Sequence, residues 1–253
     1  MKLELQRLHT LKVLVGIPSG GSWMAGFGMS LANMMAAVSL FKIQQFKQQI
    51  FYLENIKGSI LSKSRFLLVE SAKKYNVDYL LMIDSDQTFS RKAAHLLIGR
   101  DLDVVGANVA TKQLPAQPTA RNKGPNYEKD KHDWSVVYTD PESEGVEKVD
   151  RIGCGILMLS KKAYSALHPS DWDAYYREDV ETVQGEDWTM MEALEAKGFP
   201  VYVDHDVSKE VGHIGYFEFK HEHVGEIVRV PVPENDSVRD PQPRPLAQAA
   251  AAL

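Results

Sequence analysis

Strand-like and helix-like segments alternate over the first 107 residues, and this alternation constrains the fold more than any other feature of the sequence. Short apolar runs are separated by longer segments with apolar residues at helical spacing. The runs predict strands at residues 13–17, 50–53, 79–83 and 104–107, with helices at 29–48, 62–75 and 91–98 between them. This order predicts an α/β fold with a mainly parallel sheet and right-handed crossovers.

The rest of the chain predicts the completion of one domain, followed by a tail. Prolines punctuate a polar stretch at residues 111–146, which we interpret as a long excursion with one hairpin at 134–138. Strands are then predicted at 146–152, 156–160 and 201–203, and helices at 161–167 and 187–197. We therefore predict a single domain over residues 1–230 and an extended tail over 231–253, whose last residues, 249–253, resemble a vector-derived scar.

Composition limits the class of protein. The 253 residues are 44% hydrophobic and 25% charged, which is typical of a soluble globular chain. The single cysteine, Cys154, excludes an internal disulfide and a Cys-rich zinc site. The net charge of -5 argues against indiscriminate binding to nucleic acid or to an anionic membrane. Because no apolar stretch reaches the roughly 20 residues of a membrane span and no signal peptide begins the chain, we expect a cytoplasmic protein with no membrane partner.

The sharpest local feature is Asp84-Ser85-Asp86, which follows the apolar run at 79–83. A strand of a parallel sheet delivers these carboxylates to its carboxyl end, where ligands bind in such sheets. Alternation along an extended chain would point Asp84 and Asp86 to the same side. Mg²⁺ and Mn²⁺ take oxygen ligands from one or two carboxylates, together with waters and substrate phosphates. The alternatives are a metal–diphosphate site and a strand-end turn with two solvated aspartates.

Two later motifs offer an acid–base group and a metal ligand. Glu186 and Asp187 precede a helical pattern. Acidic side chains there either simply favour the helix dipole or supply a general base at Asp187. His213 lies between two glycines after the last predicted strand. It is either a structural histidine or a metal ligand, since neutral imidazole joins carboxylates at Mn²⁺-type sites.

Three further positions are candidates for ligand contact. Pro18 and Ser19 begin a loop of small residues that permits close approach of a ligand, but the loop lacks the Walker lysine and the dinucleotide fingerprint. Arg65, near the start of its helix, faces either a phosphate or solvent. The glycines that flank Cys154 mark an acceptor pocket or merely a bulge. The sequence shows no base that would activate Cys154, so a catalytic thiol is disfavoured.

Taken together and in this order, these motifs resemble a nucleotide-sugar glycosyltransferase of the GT-A fold, close to glycosyltransferase family 2. The resemblance runs from about residue 13 to about residue 217, and it implies one Rossmann-like domain with a mainly parallel sheet flanked by helices. It rests on the joint order and spacing of modest motifs. In chain order they are Ile17-Pro18-Ser19, Ser64-Arg65, Asp84-Ser85-Asp86, Gly153-Cys154-Gly155, Gly185-Glu186-Asp187 and Gly212-His213.

The resemblance implies a role for each matching residue. A nucleoside-diphosphate sugar, most commonly a UDP-sugar in this family, would contact Pro18, Ser19, Arg65, Asp84, Ser85 and Asp86. A Mn²⁺ or Mg²⁺ ion bridging the diphosphate would be held by Asp86 and His213. Asp187 would be the catalytic base, and the acceptor side would comprise Gly153, Cys154, Glu186 and Trp188. Lys112 would add a charge near the diphosphate, although no motif supports it.

The implied reaction is a single in-line displacement. Asp187 would take the proton of an acceptor hydroxyl as its oxygen attacks the anomeric carbon, which inverts the configuration, and the metal would stabilise the leaving group. A retaining arrangement stays open. A sugar-phosphate nucleotidyltransferase is disfavoured because the loop after the first strand lacks Arg and Lys. A non-catalytic binding module is disfavoured because Asp86, Asp187 and His213 are all present.

The acceptor and the oligomeric state are left open. Compact chains of this kind are similar to bacteriophage-encoded glycosyltransferases, some of which modify hydroxymethylated DNA bases, and such an enzyme would work in the host cytoplasm. For a DNA acceptor, the excursion at 111–146 would supply positive charge and aromatic rings, and a base in a duplex would have to be flipped out. The alternative is a solvated loop. The residues concerned are Lys112, Arg121, Lys123, Lys129, Lys131, Trp134 and Tyr138.

Overall fold

The computed structural model describes residues 9–40, 43, 46–113, 115–173, 175–177, 182–215, 218–221 and 224. The tail at 231–253, with the segment at 249–253 that resembles a scar, lies outside the described residues, as does residue 217 at the end of the resemblance.

Strands and helices alternate along the described chain. In chain order they are β1 (Thr10–Ser19), α1 (Ala25–Leu40), β2 (Gln48–Lys57), α2 (Leu61–Tyr75), β3 (Tyr79–Ile83), β4 (Gln87–Thr88), α3 (Ala93–Gly99), β5 (Val104–Gly106), β6 (Arg121–Lys123), β7 (Trp134–Val136), β8 (Val146–Val149), β9 (Ile156–Ser160), α4 (Lys161–Ser165), β10 (Tyr175–Arg177), β11 (Thr182–Gln184), α5 (Glu186–Ala196), β12 (Val201–Asp204), α6 (His205–Ser208), β13 (Gly212–Ile214) and β14 (Glu218–Lys220). A 3-10 helix at Pro169–Trp172 follows α4. None of the helices in these ranges is long and apolar enough to cross a membrane.

Seven strands form the central sheet, in the order β2-β1-β3-β9-β5-β12-β8. β1 is parallel to β2 and β3, and β12 is parallel to β5. β9 is antiparallel to both β3 and β5, and β8 is antiparallel to β12. Five of the seven strands therefore point the same way. The prediction of an α/β protein with a mostly parallel, Rossmann-like sheet is confirmed at this level.

The local predictions differ most from the structure in two segments, at 29–48 and 134–138. Smaller differences lie at strand ends, since the strand predicted at 50–53 extends over Gln48–Lys57 and the one predicted at 146–152 ends at Val149. The helix predicted at 29–48 is wrong in extent, because α1 ends at Leu40 and Gln48 already pairs with β1. Ile43 and Phe46 pack on the core from outside a helix, so their apolar spacing was not evidence for one. The hairpin predicted at 134–138 is also wrong in extent, since β7 pairs with β6, which starts at residue 121. The strands predicted at 79–83 and 156–160 match β3 and β9.

Helices cover both faces of the sheet, which explains why the central strands are continuously apolar. Along β1, Val13 and Val15 pack on the face that carries α1 and α3. Leu14 points to the opposite face and packs with Leu68 of α2. Alternate residues of one strand thus enter two separate clusters, and neither face is left for polar side chains. Polar groups are displaced to the ends of the strands, where the candidate site lies.

Gly106 allows β9 to lie beside β5. A Cβ at this position would come within 2.5 Å of the carbonyl oxygen of Ile156, a backbone atom that cannot move without displacing β9. We predict that Gly106→Ala lowers the free energy of unfolding by about 1–3 kcal/mol because it overpacks this contact. Urea denaturation measures the effect.

Gly28 in α1 provides the matched control, because a Cβ there would meet nothing within 4 Å. We expect Gly28→Ala to raise the free energy of unfolding by about 1 kcal/mol, since alanine has the higher helix propensity. A Gly106→Ala protein as stable as the parent would contradict the close approach of β9 to β5.

Candidate functional site

The Asp84-Ser85-Asp86 motif forms a turn directly after β3, at the carboxyl end of the strand. The Asp84 amide donates to the Gly155 carbonyl at 2.9 Å. The Ser85 carbonyl accepts a hydrogen bond from the Met24 amide at 3.1 Å, and the Asp86 carbonyl accepts one from the Ile214 amide at 2.8 Å. The motif is therefore held where the loop after β1, the segment before β9 and the end of β13 meet.

The two aspartates of the motif bind different cations. The amide of Gln87 donates to the Asp84 carbonyl at 3.2 Å, so the backbone turns here and does not continue as an extended strand. The expectation that alternation alone would place both carboxylates on one side therefore does not apply. Asp84 contacts Arg65, whereas Asp86 contacts Lys112.

Arg65 is buried between two acidic segments. Its side chain, near the start of α2, is only 3% exposed, so the alternative in which it faces solvent is wrong. Nη2 donates to both carboxylate oxygens of Asp84, at 2.9 and 3.0 Å. Nη1 lies 3.6 Å from Oε1 of Glu186, at the start of α5. One guanidinium thus joins the end of β3 to the start of α5.

Burial and charge act in opposite directions on this cluster. Burial alone would lower the pKa of Arg65, but neighbouring acidic groups, Asp84 foremost, raise it above its ordinary value. Burial raises the pKa of Asp84, and Asp86 adds to this, although Arg65 opposes the change. The guanidinium therefore stays charged while it stabilises a carboxylate that burial disfavours.

Asp187 lies in the first turn of α5 in a partly buried position. Its Oδ1 accepts a hydrogen bond of 2.8 Å from the Trp188 amide. Burial raises the pKa of Asp187, and the charges of Glu186 and Asp84 raise it further, against the opposing charge of Arg65 and the Trp188 hydrogen bond. A carboxylate whose basicity is increased in this way can accept a proton better than a solvated aspartate can.

Asp86 has the opposite environment. Burial would raise its pKa, but hydrogen bonds and charges from His213 and Lys112 lower it to about 2. The Nζ of Lys112 contacts Oδ2, and Nε2 of His213 lies 3.5 Å from Oδ1. His213 Nδ1 is 2.8 Å from the Ala110 carbonyl, which can only accept, so Nδ1 carries the proton. Nε2 is then the ring nitrogen that faces Asp86.

These residues fit a divalent ion that is shared with a substrate. The described part of the chain holds no group of three or more His, Cys, Asp or Glu side chains that could bind a metal by itself. Asp86 and His213 nevertheless place an oxygen and a nitrogen 3.5 Å apart, and the Nδ1 hydrogen bond fixes the imidazole orientation, as is usual for histidine ligands. Mg²⁺ and Mn²⁺ commonly complete such a set with waters and substrate phosphates.

The loop after β1 contains polar contacts that the sequence did not reveal. Ser19 donates from Oγ to Oδ1 of Asn55 at 2.8 Å, and Nε1 of Trp23 approaches the same oxygen at 3.3 Å. Pro18 and Ser19 are the last residues of β1 and pair with the end of β2. Asn55 lay beyond the strand predicted at 50–53 and matched no motif, so only the pairing of β1 with β2 identifies it.

Cys154 lies beneath the charged cluster. It is 2% exposed, and burial raises the pKa of its thiol, which disfavours a thiolate and agrees with a residue that is not a nucleophile. A Cβ on Gly153 would come within 3.1 Å of Thr119, and one on Gly155 within 3.0 Å of Val109. The flanking glycines therefore leave room for side chains of neighbouring segments.

A stack of two indoles and one guanidinium flanks the start of α5. The Cζ of Arg151 lies 3.9 Å from the ring centre of Trp134 and 4.6 Å from that of Trp188. The Arg151 guanidinium also donates to Glu192 of α5. Cation–π contacts of this kind join the excursion to the helix that carries Asp187. Arg151 is a further residue that sequence reasoning missed, since no motif contains it.

Most of the basic residues of the excursion have partners within the chain. Lys123 pairs with Glu195 at 3.2 Å, and Lys131 pairs with Glu128 at 3.2 Å. Arg121 donates to the Ala120 carbonyl at 2.9 Å. Lys129 is exposed, and Tyr138 is half-buried. The positive charge of this segment is thus partly used in holding the excursion against the domain.

Comparison with known proteins adds information on the fold. No family model and no curated protein matches the chain. Among solved structures, the chain resembles the one described as "Crystal Structure of A197 from STIV", with a TM-score of 0.50 and 14% sequence identity. The match covers 81% of this chain and 86% of that chain. At this identity the likeness concerns the fold alone.

Asp187 and Asp86 are expected to affect stability with opposite signs. A carboxyl group whose pKa is raised in the folded state weakens folding once it ionises, because the folded state binds the proton more tightly. At pH 7 we therefore predict that Asp187→Asn raises the free energy of unfolding. The asparagine keeps an oxygen for the Trp188 amide. Urea denaturation at pH 7 and pH 4 measures the gain, which should shrink at the lower pH.

Asp86→Asn is the comparison. The stability that Asp86 contributes is present above its unfolded pKa of about 3.8 and is lost as the pH falls through about 2. At pH 7 we expect the variant to lose about 1 kcal/mol, since a partly exposed pair is screened by solvent. Losses of similar size in both variants would contradict the environments described for the two carboxylates.

Proposed function

We propose that this protein is a metal-dependent glycosyltransferase of the GT-A fold. It would transfer a sugar from a nucleoside-diphosphate sugar, with a UDP-sugar as the first donor to test, to an acceptor hydroxyl. One observation carries the proposal. A pair that can share a divalent ion, Asp86 and His213, lies at the same sheet edge as Asp187, a carboxylate of raised pKa.

We place the sugar donor at the carboxyl ends of the strands, because nucleotides bind there in sheets of this kind. Asp86 and His213 would hold Mn²⁺ or Mg²⁺, which supplies charge neutralisation for a departing diphosphate. Pro18 and Ser19 end β1 at the same edge and would contact the nucleoside. Arg65 fixes the orientation of Asp84, whose carboxylate would face the ribose or the sugar.

The proposed position of the acceptor hydroxyl is beside Asp187, the proposed base. Its Oδ1 is engaged by the Trp188 amide, which leaves Oδ2 to receive the proton of the acceptor hydroxyl. As that proton moves to Oδ2, the acceptor oxygen forms a bond to the anomeric carbon and the bond to the diphosphate oxygen breaks. One such displacement inverts the anomeric configuration. Glu186 and Trp188 flank the base and would contact the acceptor, whereas Gly153 and Cys154, which the resemblance also places on the acceptor side, are buried.

Two other function classes find less support. The described loop after β1 contains no Arg or Lys between Gly20 and Met24, although a nucleotidyltransferase typically uses basic residues there. A non-catalytic module would have no use for a base of raised pKa. A hydroxymethylated DNA base is the acceptor class that the sequence resemblance suggests, and it is the first acceptor to test.

The reaction itself provides the main test. We predict that the protein releases nucleoside diphosphate from a UDP-sugar in the presence of Mn²⁺ and an acceptor. Asp86→Asn should lower kcat/KM by about a hundredfold or more, because charge on the leaving group is no longer stabilised. Asp187→Asn should lower kcat by about 10²–10⁴-fold while donor affinity is retained, because only the base is lost.

Asp101→Asn is a matched control, since Asp101 is exposed and precedes β5 at the opposite edge of the sheet. We expect this variant to retain activity. Undiminished activity in EDTA, or in Asp187→Asn, would contradict the mechanism. Hydroxymethylated and unmodified DNA should be compared as acceptors, and absence of transfer to either would reject the DNA acceptor but not the transferase.

The pH dependence gives an independent prediction. Asp187 must be ionised to act as a base, and its pKa is raised by burial. We therefore expect kcat/KM to fall on the acid side at a pH above the ordinary aspartate value of about 3.9. A profile of kcat/KM between about pH 3 and pH 8 measures this limb and extends below the ordinary aspartate value. An acid limb at or below the ordinary value would show that Asp187 is not the base.

A further inference from the structure

Both oxygens of the Asp86 carboxylate are already engaged by groups of the chain. Lys112 Nζ contacts Oδ2. Oδ1 faces Nε2 of His213 at 3.5 Å and Nε2 of Gln87 at 3.4 Å. The carboxylate that would bind a divalent ion is thus paired with a monovalent cation of the chain itself.

The backbone beside Lys112 is held by hydrogen bonds, whereas its side chain is partly exposed. Ala110 accepts the hydrogen bond from His213 Nδ1, and the Thr111 amide donates to the Gln117 carbonyl at 2.8 Å. The Gln117 amide in turn donates to Oγ1 of Thr111 at 3.0 Å. The Lys112 side chain is 35% exposed, and its flexible four-carbon stem allows the ammonium to move while the backbone stays in place.

A divalent ion and the ammonium of Lys112 cannot both occupy the Oδ2 side of Asp86. They are like charges, and at contact distance their repulsion is large unless anions separate them. A nucleoside diphosphate brings such anions. Its phosphate oxygens would complete the coordination of the ion and would also offer Lys112 new charge-assisted hydrogen bonds.

We propose that Lys112 competes with the divalent ion for Asp86 and transfers to the diphosphate when metal and donor bind together. This rests on the proposed function, because it assigns a role to Lys112 at the same donor site. Lys112 is then the residue that couples the two binding events. Metal alone binds weakly because it must displace the lysine, and the diphosphate strengthens metal binding because it accepts the displaced ammonium. By linkage, the metal strengthens diphosphate binding by the same factor.

The test measures binding rather than turnover. Isothermal titration calorimetry is performed with Mn²⁺ alone, UDP alone, and UDP at saturating Mn²⁺, on the full chain and on Lys112→Met. We expect Lys112→Met to bind Mn²⁺ alone about threefold to tenfold more tightly, since the metal no longer breaks an ion pair. Its affinity for UDP with Mn²⁺ present should fall about tenfold, so that the coupling between the ligands decreases.

Two further variants sharpen the test. Lys112→Gln makes the same change of charge with a polar side chain and should behave like Lys112→Met, which separates charge from packing. Lys129→Met removes an exposed lysine of the same excursion and should bind Mn²⁺ and UDP like the parent protein.

The outcomes distinguish this inference from the proposed function. If Mn²⁺ and UDP strengthen each other's binding in the parent and equally in both Lys112 variants, the competition is rejected and the transferase proposal stands. If the parent binds UDP equally with and without Mn²⁺, metal dependence is rejected and the competition with it. If Lys129→Met shifts Mn²⁺ affinity as much as Lys112→Met, the effect is one of net charge and the specific role of Lys112 is rejected.

Discussion

A buried guanidinium organises the carboxyl edge of this sheet. Asp84, Glu186 and Asp187 come from segments about a hundred residues apart, and their negative charges would repel one another in a buried position. Arg65, at 3% exposure, lies between the first two, and it also opposes the rise in the pKa of Asp187. Breaking a buried ion pair by removing one partner typically costs about 3–5 kcal/mol. The start of α5 and the end of β3 are therefore held in their relative positions by one side chain of α2.

The surroundings of Asp187 and Asp86 shift the pKa values of these two carboxyl groups in opposite directions. Burial and acidic neighbours raise the pKa of Asp187, whereas His213 and Lys112 lower that of Asp86 to about 2. Pairs of titratable groups whose pKa values are driven apart are characteristic of sites that divide acid–base work from cation binding. Asp187 is suited to gain a proton, and Asp86 keeps its charge at any physiological pH. The assignment of base and ligand in the proposed reaction follows from this difference.

Features that depend on neighbours in sequence could be predicted, and features that depend on the order of strands could not. The apolar runs of β3 and β9 identified both strands, because a strand covered on both faces must be apolar at every position. Nothing in the run of β9 showed that it inserts antiparallel between β3 and β5. The contacts of Asn55 and Arg151 depend on pairings across the sheet and the excursion, so no local spacing indicated them. The premise of an extended chain does not hold at Asp84 and Asp86, because the chain turns there, as the hydrogen bond from Gln87 shows.

Arg65 and Lys112, the two cationic side chains of the candidate site, differ in their exposure to solvent. Arg65 is enclosed, and it contacts Asp84 and Glu186. Lys112 is 35% exposed on a fixed backbone, and its ion pair is of the kind that solvent weakens. In the proposed reaction, a divalent ion would have Asp86 and His213 as protein ligands and would be incompletely coordinated until a diphosphate supplied further oxygens. A buried arginine that orients Asp84 and a partly exposed lysine that reaches the diphosphate would then meet separate needs of the proposed site. This division would account for arginine in the first position and lysine in the second.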